Sequence, residues 1–270
     1  MTDTPLLQFN RLEIGYRHKI ITTETMCGQL HRGYLTCLIG RNGAGKSTLL
    51  RTLAKLHRPI AGEIKLLGKT ITTYSPRELA KKMAVVLTDR ITDDNITARQ
   101  VVETGRYAYT NWTGRLSEED QQIVEQALDR TGSSSLTHRL MHTLSDGEQQ
   151  KIMMAKALAQ QTPIILLDEP TAFLDYTATP AWLYLLHQLA HDEGKAILFS
   201  CHDIEAALRV SDETWVMHQG KLLKGSPEQL GHDGTIGKCF NSEYVHFDTE
   251  NLHFHISRTP HAQKTEQGKR

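Results

Sequence analysis

No stretch of this sequence is apolar for long enough to cross a membrane as a helix. Its longest apolar runs, such as Ile164-Ile165-Leu166-Leu167, fall far short of the roughly 20 residues a span requires. The N-terminus, Met1-Thr2-Asp3-Thr4-Pro5, lacks the charged and apolar blocks of a secretory signal, so a membrane would be served from its cytoplasmic side. An excess of one charge is also missing. Lys plus Arg and Asp plus Glu number 31 each, so no global basic field points to nucleic acid as a partner. The four cysteines, Cys27, Cys37, Cys201 and Cys239, form no C-x-x-C pair, and reduced, mostly packed thiols in a reducing compartment are expected. No internal repeat is found. A chain of 270 residues, 39% of them hydrophobic, can build one substantial core with or without a subdomain.

Against these absences stands Gly40-Arg41-Asn42-Gly43-Ala44-Gly45-Lys46-Ser47-Thr48, which spells the phosphate-loop pattern G-x-x-x-x-G-K-[ST]. Glycines let successive backbone N–H groups curl around phosphate oxygens, and the following helix turns its positive end to the same anion. Lys46 adds a mobile charge for the outer phosphates, and Ser47 offers a hydroxyl to Mg²⁺, a cation that prefers oxygen ligands. A glycine-rich turn ahead of a helix would look similar. The context favours the phosphate loop, since Tyr34 to Ile39 reads as a strand and Ser47 to Leu56 as an amphipathic helix.

Along the chain, Leu6 to Tyr16 alternates loosely and suits an antiparallel strand. Tyr16 is equally readable as a ring for stacking on a purine or as edge packing. Gly62 to Gly68 is a short strand, and Ser75-Pro76-Arg77-Glu78 combines a cap, a first-turn proline and a capping-box glutamate. That helix should run to about Lys82, followed by a strand from Met83 to Leu87. From Asn95 to Gln160 the pattern turns helical, with Thr97/Gln100 and Ser117/Asp120 opening two segments and Gly132 to Ser135 forming a loop. Leu144-Ser145-Asp146-Gly147-Glu148 leads into a helix whose start is another anion-ready end. Thr214 to His218 and Lys221 to Lys224 predict a hairpin, Ser226-Pro227-Glu228-Gln229 a last short helix, and the chain beyond Pro260 a disordered tail.

Ile164 to Leu167 is too uniformly apolar to be half exposed and predicts a parallel strand buried on both faces. It ends in Asp168-Glu169, two carboxylates at the edge where open α/β sheets bind ligands. Ala196 to Ser200 repeats the pattern and delivers Cys201-His202-Asp203 to the same edge. His202 taken alone is as readable as a neighbour of a helix cap. His246, His253, His255 and His261 gather late, and His253-Phe254-His255 reads as alternation on an exposed strand with no matching metal-ligand set.

These stations, in this order from Leu6 to Asn241, resemble the nucleotide-binding subunit of an ATP-binding cassette (ABC) transporter. Leu144 to Glu148 is similar to that family's LSGGQ signature. The wording Leu167-Asp168-Glu169-Pro170-Thr171-Ala172-Phe173-Leu174-Asp175, with Thr104-Gly105-Arg106-Tyr107, resembles the importers of iron-siderophore, haem or cobalamin complexes. The resemblance implies an α/β fold: a RecA-like P-loop NTPase core, an antiparallel β subdomain and an α-helical insert at about 95–160 carrying the signature. The ATP-binding domain would be residues 6–241, with a C-terminal extension and polar tail over 242–270. It implies that Tyr16 stacks on adenine, that Gly40 to Thr48 wrap the phosphates, and that Ser47 and Asp168 hold Mg²⁺, Asp168 through water. Glu169 would orient or deprotonate the attacking water and His202 would sense the γ-phosphate. Ser145 and Gly147 would serve the ATP of a second copy, with Asp175 passing between the two sites. The implied partners are a second copy of the chain, a membrane permease and, indirectly, a periplasmic or lipid-anchored solute-binding protein, with no nucleic acid. The implied location is peripheral, on the cytoplasmic face of the plasma membrane.

Two residues depart from the family pattern. Thr88 stands where a metal-reaching glutamine is usual, with Asp89 or a water as a substitute, which predicts weaker metal coupling. Thr88→Gln should then change the Mg²⁺ dependence or the rate of ATPase activity, and a variant that changes neither would discard the idea. Asp146 replaces the signature's first glycine, and a carboxylate near phosphate is expected to point away from it. Alternatives left open are an exporter cassette, a soluble cassette of the iron-sulfur assembly type and an ATP-binding switch without useful hydrolysis.

Overall fold

The apolar strands pair into two sheets that share one side of a common core. In the computed structural model, residues 4–16, 19–88, 94–111, 114–175, 177–249 and 251–257 are described. The chain starts with β1 (Leu7–Glu13), where Leu7, Phe9 and Leu12 are buried and a register shift separates Phe9 from Leu12. A small hairpin follows, β2 (Gly15–Tyr16) with β3 (Lys19–Ile20), so the strand expected over Leu6 to Tyr16 is broken at Ile14. After β4 (Met26–Leu30), β5 (Leu35–Gly40) runs through the phosphate loop into α1 (Lys46–Leu53). Then β6 (Ala61–Leu66) and β7 (Lys69–Thr70) complete an antiparallel sheet in the order β4-β1-β6-β7.

The helical stretch is placed by local capping. Helix α2 (Pro76–Ala80) opens with the complete Ser75/Glu78 capping box, and β8 (Met83–Val86) follows. Helices α3 (Ala98–Glu103), α4 (Glu118–Arg130) and α5 (Asp146–Ala159) open with the boxes Thr97/Gln100, Ser117/Asp120 and Ser145/Glu148. Each box satisfies backbone donors that the first helical turn leaves orphaned. The chain then alternates: β9 (Ile164–Leu167), α6 (Ala178–His191), β10 (Ala196–Ser200), α7 (Ile204–Val210), β11 (Glu213–His218) and β12 (Lys221–Gly225).

Six strands form the larger sheet, in the order β12-β11-β5-β10-β9-β8, parallel throughout except for the β11–β12 hairpin. Alternate residues of β9 and β10 serve opposite faces. Ile164, Leu166 and Leu198 pack with α1 and with Phe9 and Ile64 of the antiparallel sheet. Ile165, Leu167, Ile197 and Phe199 pack with Ile152 of α5 and Leu186 of α6. Burial on both faces is why these strands are apolar without alternation.

The Thr104-Gly105-Arg106-Tyr107 turn joins the helical insert to the signature helix. A Cβ on Gly105 would lie 2.5 Å from the Lys156 carbonyl oxygen, so only glycine allows this approach. Arg106 is buried; its Nε donates to Asp120 Oδ1 at 2.8 Å and its Nη1 to the Ala159 carbonyl at 2.9 Å. Burial pushes the Asp120 pKa up, but the Ser117 N–H and Arg106 outweigh it and hold the carboxyl below its ordinary value. Its folded pKa is thus depressed, so its stabilising contribution is present above the ordinary carboxylate range and is lost as pH falls below it. Arg106→Met leaves a buried carboxylate without its cation. The expected cost is about 3 kcal/mol, read from urea unfolding, with partial recovery in Arg106→Met/Asp120→Asn.

Helix α8 (Pro227–His232) is not the last, contrary to the sequence expectation: α9 (Thr235–Phe240) follows and buries Ile236 and Cys239. A hairpin, β13 (Val245–Asp248) with β14 (His253–Ile256), then inserts Phe247 into the core. The stretch beyond Pro260 that the sequence reads as a disordered tail lies outside the described residues, as does Asp89. Among the described residues no helix is long and apolar enough to cross a membrane.

Candidate active site

Strands β5, β10 and β9 lie side by side and parallel, so the loops leaving their carboxyl ends emerge at one edge. They bring together Asn42, Gly43 and Gly45 from the loop after β5, Lys46, Ser47 and Thr48 from the start of α1, Glu169 from the loop after β9 and His202 from the loop after β10. With Ile21, these residues line one cavity of about 390 Å³. The backbone at Gly43 and Gly45 is left-handed, with φ of 78° and 104°, and a Cβ on Gly45 would lie 2.7 Å from the Ile21 side chain. Glycine is therefore required at Gly45 by conformation and by space. Gly45 caps α1, whose first turn carries no acidic residue, leaving the positive helix end open toward the cavity.

Lys46 is buried and its ammonium donates to the Gly40 carbonyl at 2.8 Å. Burial lowers its pKa, while the carboxylates of Glu169 and Asp168 pull it back up. Asp168 is buried at the end of β9. Its Oδ1 accepts from the Ser200 hydroxyl at 2.8 Å, whereas Oδ2 is buried without a hydrogen-bond partner. A buried, orphaned carboxylate oxygen is costly unless a cation or donor completes it, so the residues fit a bound metal on this side of the cavity.

Glu169 adopts a left-handed φ of 52°, a strained conformation for a non-glycine residue. Two bonds hold it there: its N–H donates to Ser200 Oγ at 2.8 Å, and its carbonyl accepts from the Ala172 N–H at 3.1 Å. Ser200 therefore links both carboxylate residues, a role the sequence did not reveal. The only available signal was a hydroxyl ending the run Ala196-Ile197-Leu198-Phe199. Across the cavity, His202 Nε2 lies 2.6 Å from Glu169 Oε1.

Other expected residues are placed elsewhere. Tyr16 is 51% exposed on β2, tilted 5.6 Å from the ring of His57, and does not line the phosphate cavity. Arg41 directs its guanidinium away from the cavity, donating to the carbonyls of Cys239 at 2.9 Å and Asn241 at 3.3 Å. Ala44 closes the loop's turn through its N–H to the Arg41 carbonyl. Thr88 is half-buried beyond β8 and is not part of the cavity lining.

Ser145, Gly147 and Asp175 meet in a second cleft, shared with Asp146, Lys151 and Phe173. None of these lines the phosphate cavity. Ser145 Oγ caps α5 by accepting from the Glu148 N–H. Asp175 Oδ1 accepts from Thr177 N–H and Oγ–H and from the Ala178 N–H at 2.7 Å, fixing the start of α6. The segment from Glu169 to Asp175 thus runs from the cavity to the second cleft.

An α/β fold whose parallel sheet is covered on both faces, with an open phosphate loop after β5, a paired Asp-Glu at the end of β9 and a separate signature-helix cleft, defines a P-loop nucleoside triphosphatase of the cassette class. The family model described as "ABC transporter" matches residues 24–172. The achromobactin transport ATP-binding protein of Dickeya dadantii is 36% identical over 231 residues, covering 85% of this chain and 86% of that protein. The petrobactin import ATP-binding protein of Bacillus anthracis is 36% identical over 238 residues, covering 88% and 87%. Among solved structures, a metal-chelate type ABC transporter in an inward-facing conformation superposes with a TM-score of 0.78 at 25% identity. That match covers 96% of this chain and 99% of the other. The chain belongs to the ABC transporter family, as one of its ATP-binding, ATP-hydrolysing subunits.

Proposed function

We propose that this chain powers the import of a metal chelate, an iron-siderophore type of complex, through a separate membrane permease. The observation carrying the ATPase half is the convergence of Lys46, Glu169 and His202 on one phosphate-loop cavity, with the buried Asp168 carboxylate acting on the same Lys46 ammonium. The cargo half is supported by relatives named for achromobactin transport and petrobactin import. In this reading residues 6–241 are the ATP-binding domain, residues 242–270 an extension, and the protein sits peripherally on the cytoplasmic face of the membrane.

The chemistry is positioning and charge stabilisation. Backbone N–H groups from Gly43 to Thr48 hold the phosphates and Lys46 balances the outer charge. Ser47 Oγ and Asp168 Oδ2, the latter directly or through water, would hold Mg²⁺, which neutralises phosphate charge. Glu169, on the cavity lining, would orient and deprotonate the attacking water as a general base. His202 holds the Glu169 carboxylate from the other side and meets the γ-phosphate. Tyr16 stacks on the adenine outside the phosphate cavity.

Ser145 and Gly147 line a cleft separate from the chain's own phosphate cavity, and in this reading they complete the site of a second copy. This homodimer would act with the permease and, through it, a solute-binding protein. The test is reconstitution with the permease in lipid discs. ATP-dependent uptake of radioactive iron as a ferric siderophore is expected. A chain that co-purifies with no membrane partner, and whose loss leaves siderophore uptake intact, would overturn the reading.

A further inference from the structure

The C-terminal hairpin was expected to be a bare exposed strand, and the structure supplies what that expectation lacked. Antiparallel register sets His246 opposite His255 and Asp248 opposite His253, with Phe247 and Phe254 paired between them. Alternation therefore places the imidazoles and the carboxylate on one face and the phenyl rings on the other. The phenyl face is anchored: Phe247 is buried, its ring centroid 4.9 Å from that of Phe254, and the Phe254 N–H donates to Glu205 Oε1 at 2.7 Å. The outward face thus stands on a fixed backbone.

On that face Asp248 Oδ2 lies 3.4 Å from His255 Nε2 and 3.9 Å from His253 Nδ1, and all three ligand atoms lie within 4.8 Å of one another. Ligands at 2.0–2.1 Å around a tetrahedral ion are about 3.3 Å apart, so one edge already has that length and small side-chain rotations close the others. The second layer is present too. Asn251 donates its backbone N–H to Asp248 Oδ1 at 3.2 Å and its amide to Oδ2 at 2.9 Å, orienting the carboxylate. His246 is held apart from this set: its Nδ1 lies 3.4 Å from the Asn241 amide nitrogen, and Asn241 Oδ1 accepts from the Phe247 N–H. A plain hydrogen-bonded pair would account for the contact with His255. It does not account for His253, whose Nδ1 at 3.9 Å is beyond hydrogen-bond distance from the carboxylate while its ring stands 4.1 Å from that of His255.

We propose that Asp248, His253 and His255 form a binding site for one divalent transition-metal ion of the Zn²⁺, Co²⁺ or Fe²⁺ class, with its remaining positions open to water. Two imidazoles and one carboxylate suit such borderline cations rather than Ca²⁺ or Mg²⁺, which take oxygen ligands. The site lies on the extension, apart from the phosphate cavity.

The experiment titrates tag-free, full-length protein with Co²⁺, followed by visible absorption, and with Zn²⁺, followed by calorimetry. One ion per chain is expected, with a d–d spectrum lacking thiolate charge transfer, which separates this site from the exposed Cys27. His253→Ala/His255→Ala should abolish that binding while leaving the basal ATPase rate unchanged, and Asn251→Ala should weaken it about 10-fold. Retained one-ion binding in the double variant, a thiolate band, or no Co²⁺ spectrum in the parent protein would each overturn the assignment.

Discussion

Glu169→Gln is expected to slow ATP turnover by about 10² to 10⁴ while leaving ATP binding intact or tighter. The substitution keeps the side chain's size and its backbone bonds to Ser200 and Ala172, so the strained φ of 52° survives. In the proposed mechanism what disappears is the carboxylate that takes the proton from water, together with a negative charge on the lining of the phosphate cavity. Glu169 raises the Lys46 pKa, so its loss also removes one of the carboxylates now balancing that ammonium. Less repulsion and no proton acceptor should together accumulate a pre-hydrolysis ATP complex. Single-turnover hydrolysis and size-exclusion chromatography with ATP read the two effects. Hydrolysis at the parent rate would remove Glu169 from the mechanism and leave the role of general base without a residue.

What could be read from the sequence was whatever is local. The capping boxes at Ser75, Thr97 and Ser117 span four residues each, and all three are present in full. The phosphate loop and the doubly buried strands β9 and β10 were equally legible, because spacing and apolar continuity encode them. Features depending on residues far apart were not. Ser200 joins Asp168 to Glu169 across 31 or more residues, and Arg41 spends its guanidinium on carbonyls some 200 residues away. Helix α9 begins after Gly234 with no side-chain cap, so it offered no box to find. Asp248 was missed as a partner of His253 and His255 because the register of the hairpin, not the sequence spacing, makes them neighbours.

Separation of the signature cleft from the phosphate cavity leads to a test of shared sites. Ser145→Asn keeps a side-chain acceptor able to cap α5, since asparagine caps helices about as well as serine. It replaces a compact hydroxyl by a bulkier amide in the cleft formed with Gly147 and Asp175. If this cleft completes a partner's site, hydrolysis should fall by roughly 10³, the lower end of what a group supplied in trans contributes. ATP binding by the isolated chain should be unaffected, because the cleft and the phosphate cavity share no lining residue. Lys46→Ala is the complementary variant: it removes the cation that lines the phosphate cavity and leaves the signature whole. In the proposed homodimer, each variant alone would form dimers with two defective sites. Mixing them gives heterodimers in which one site joins the intact loop of the Ser145→Asn chain to the intact signature of the Lys46→Ala chain. The other site carries both defects. Activity should therefore reappear on mixing two nearly inactive proteins, rising with the heterodimer fraction and requiring ATP-driven closure. A site wholly contained in one chain predicts the opposite, a mixture no more active than the average of its parts.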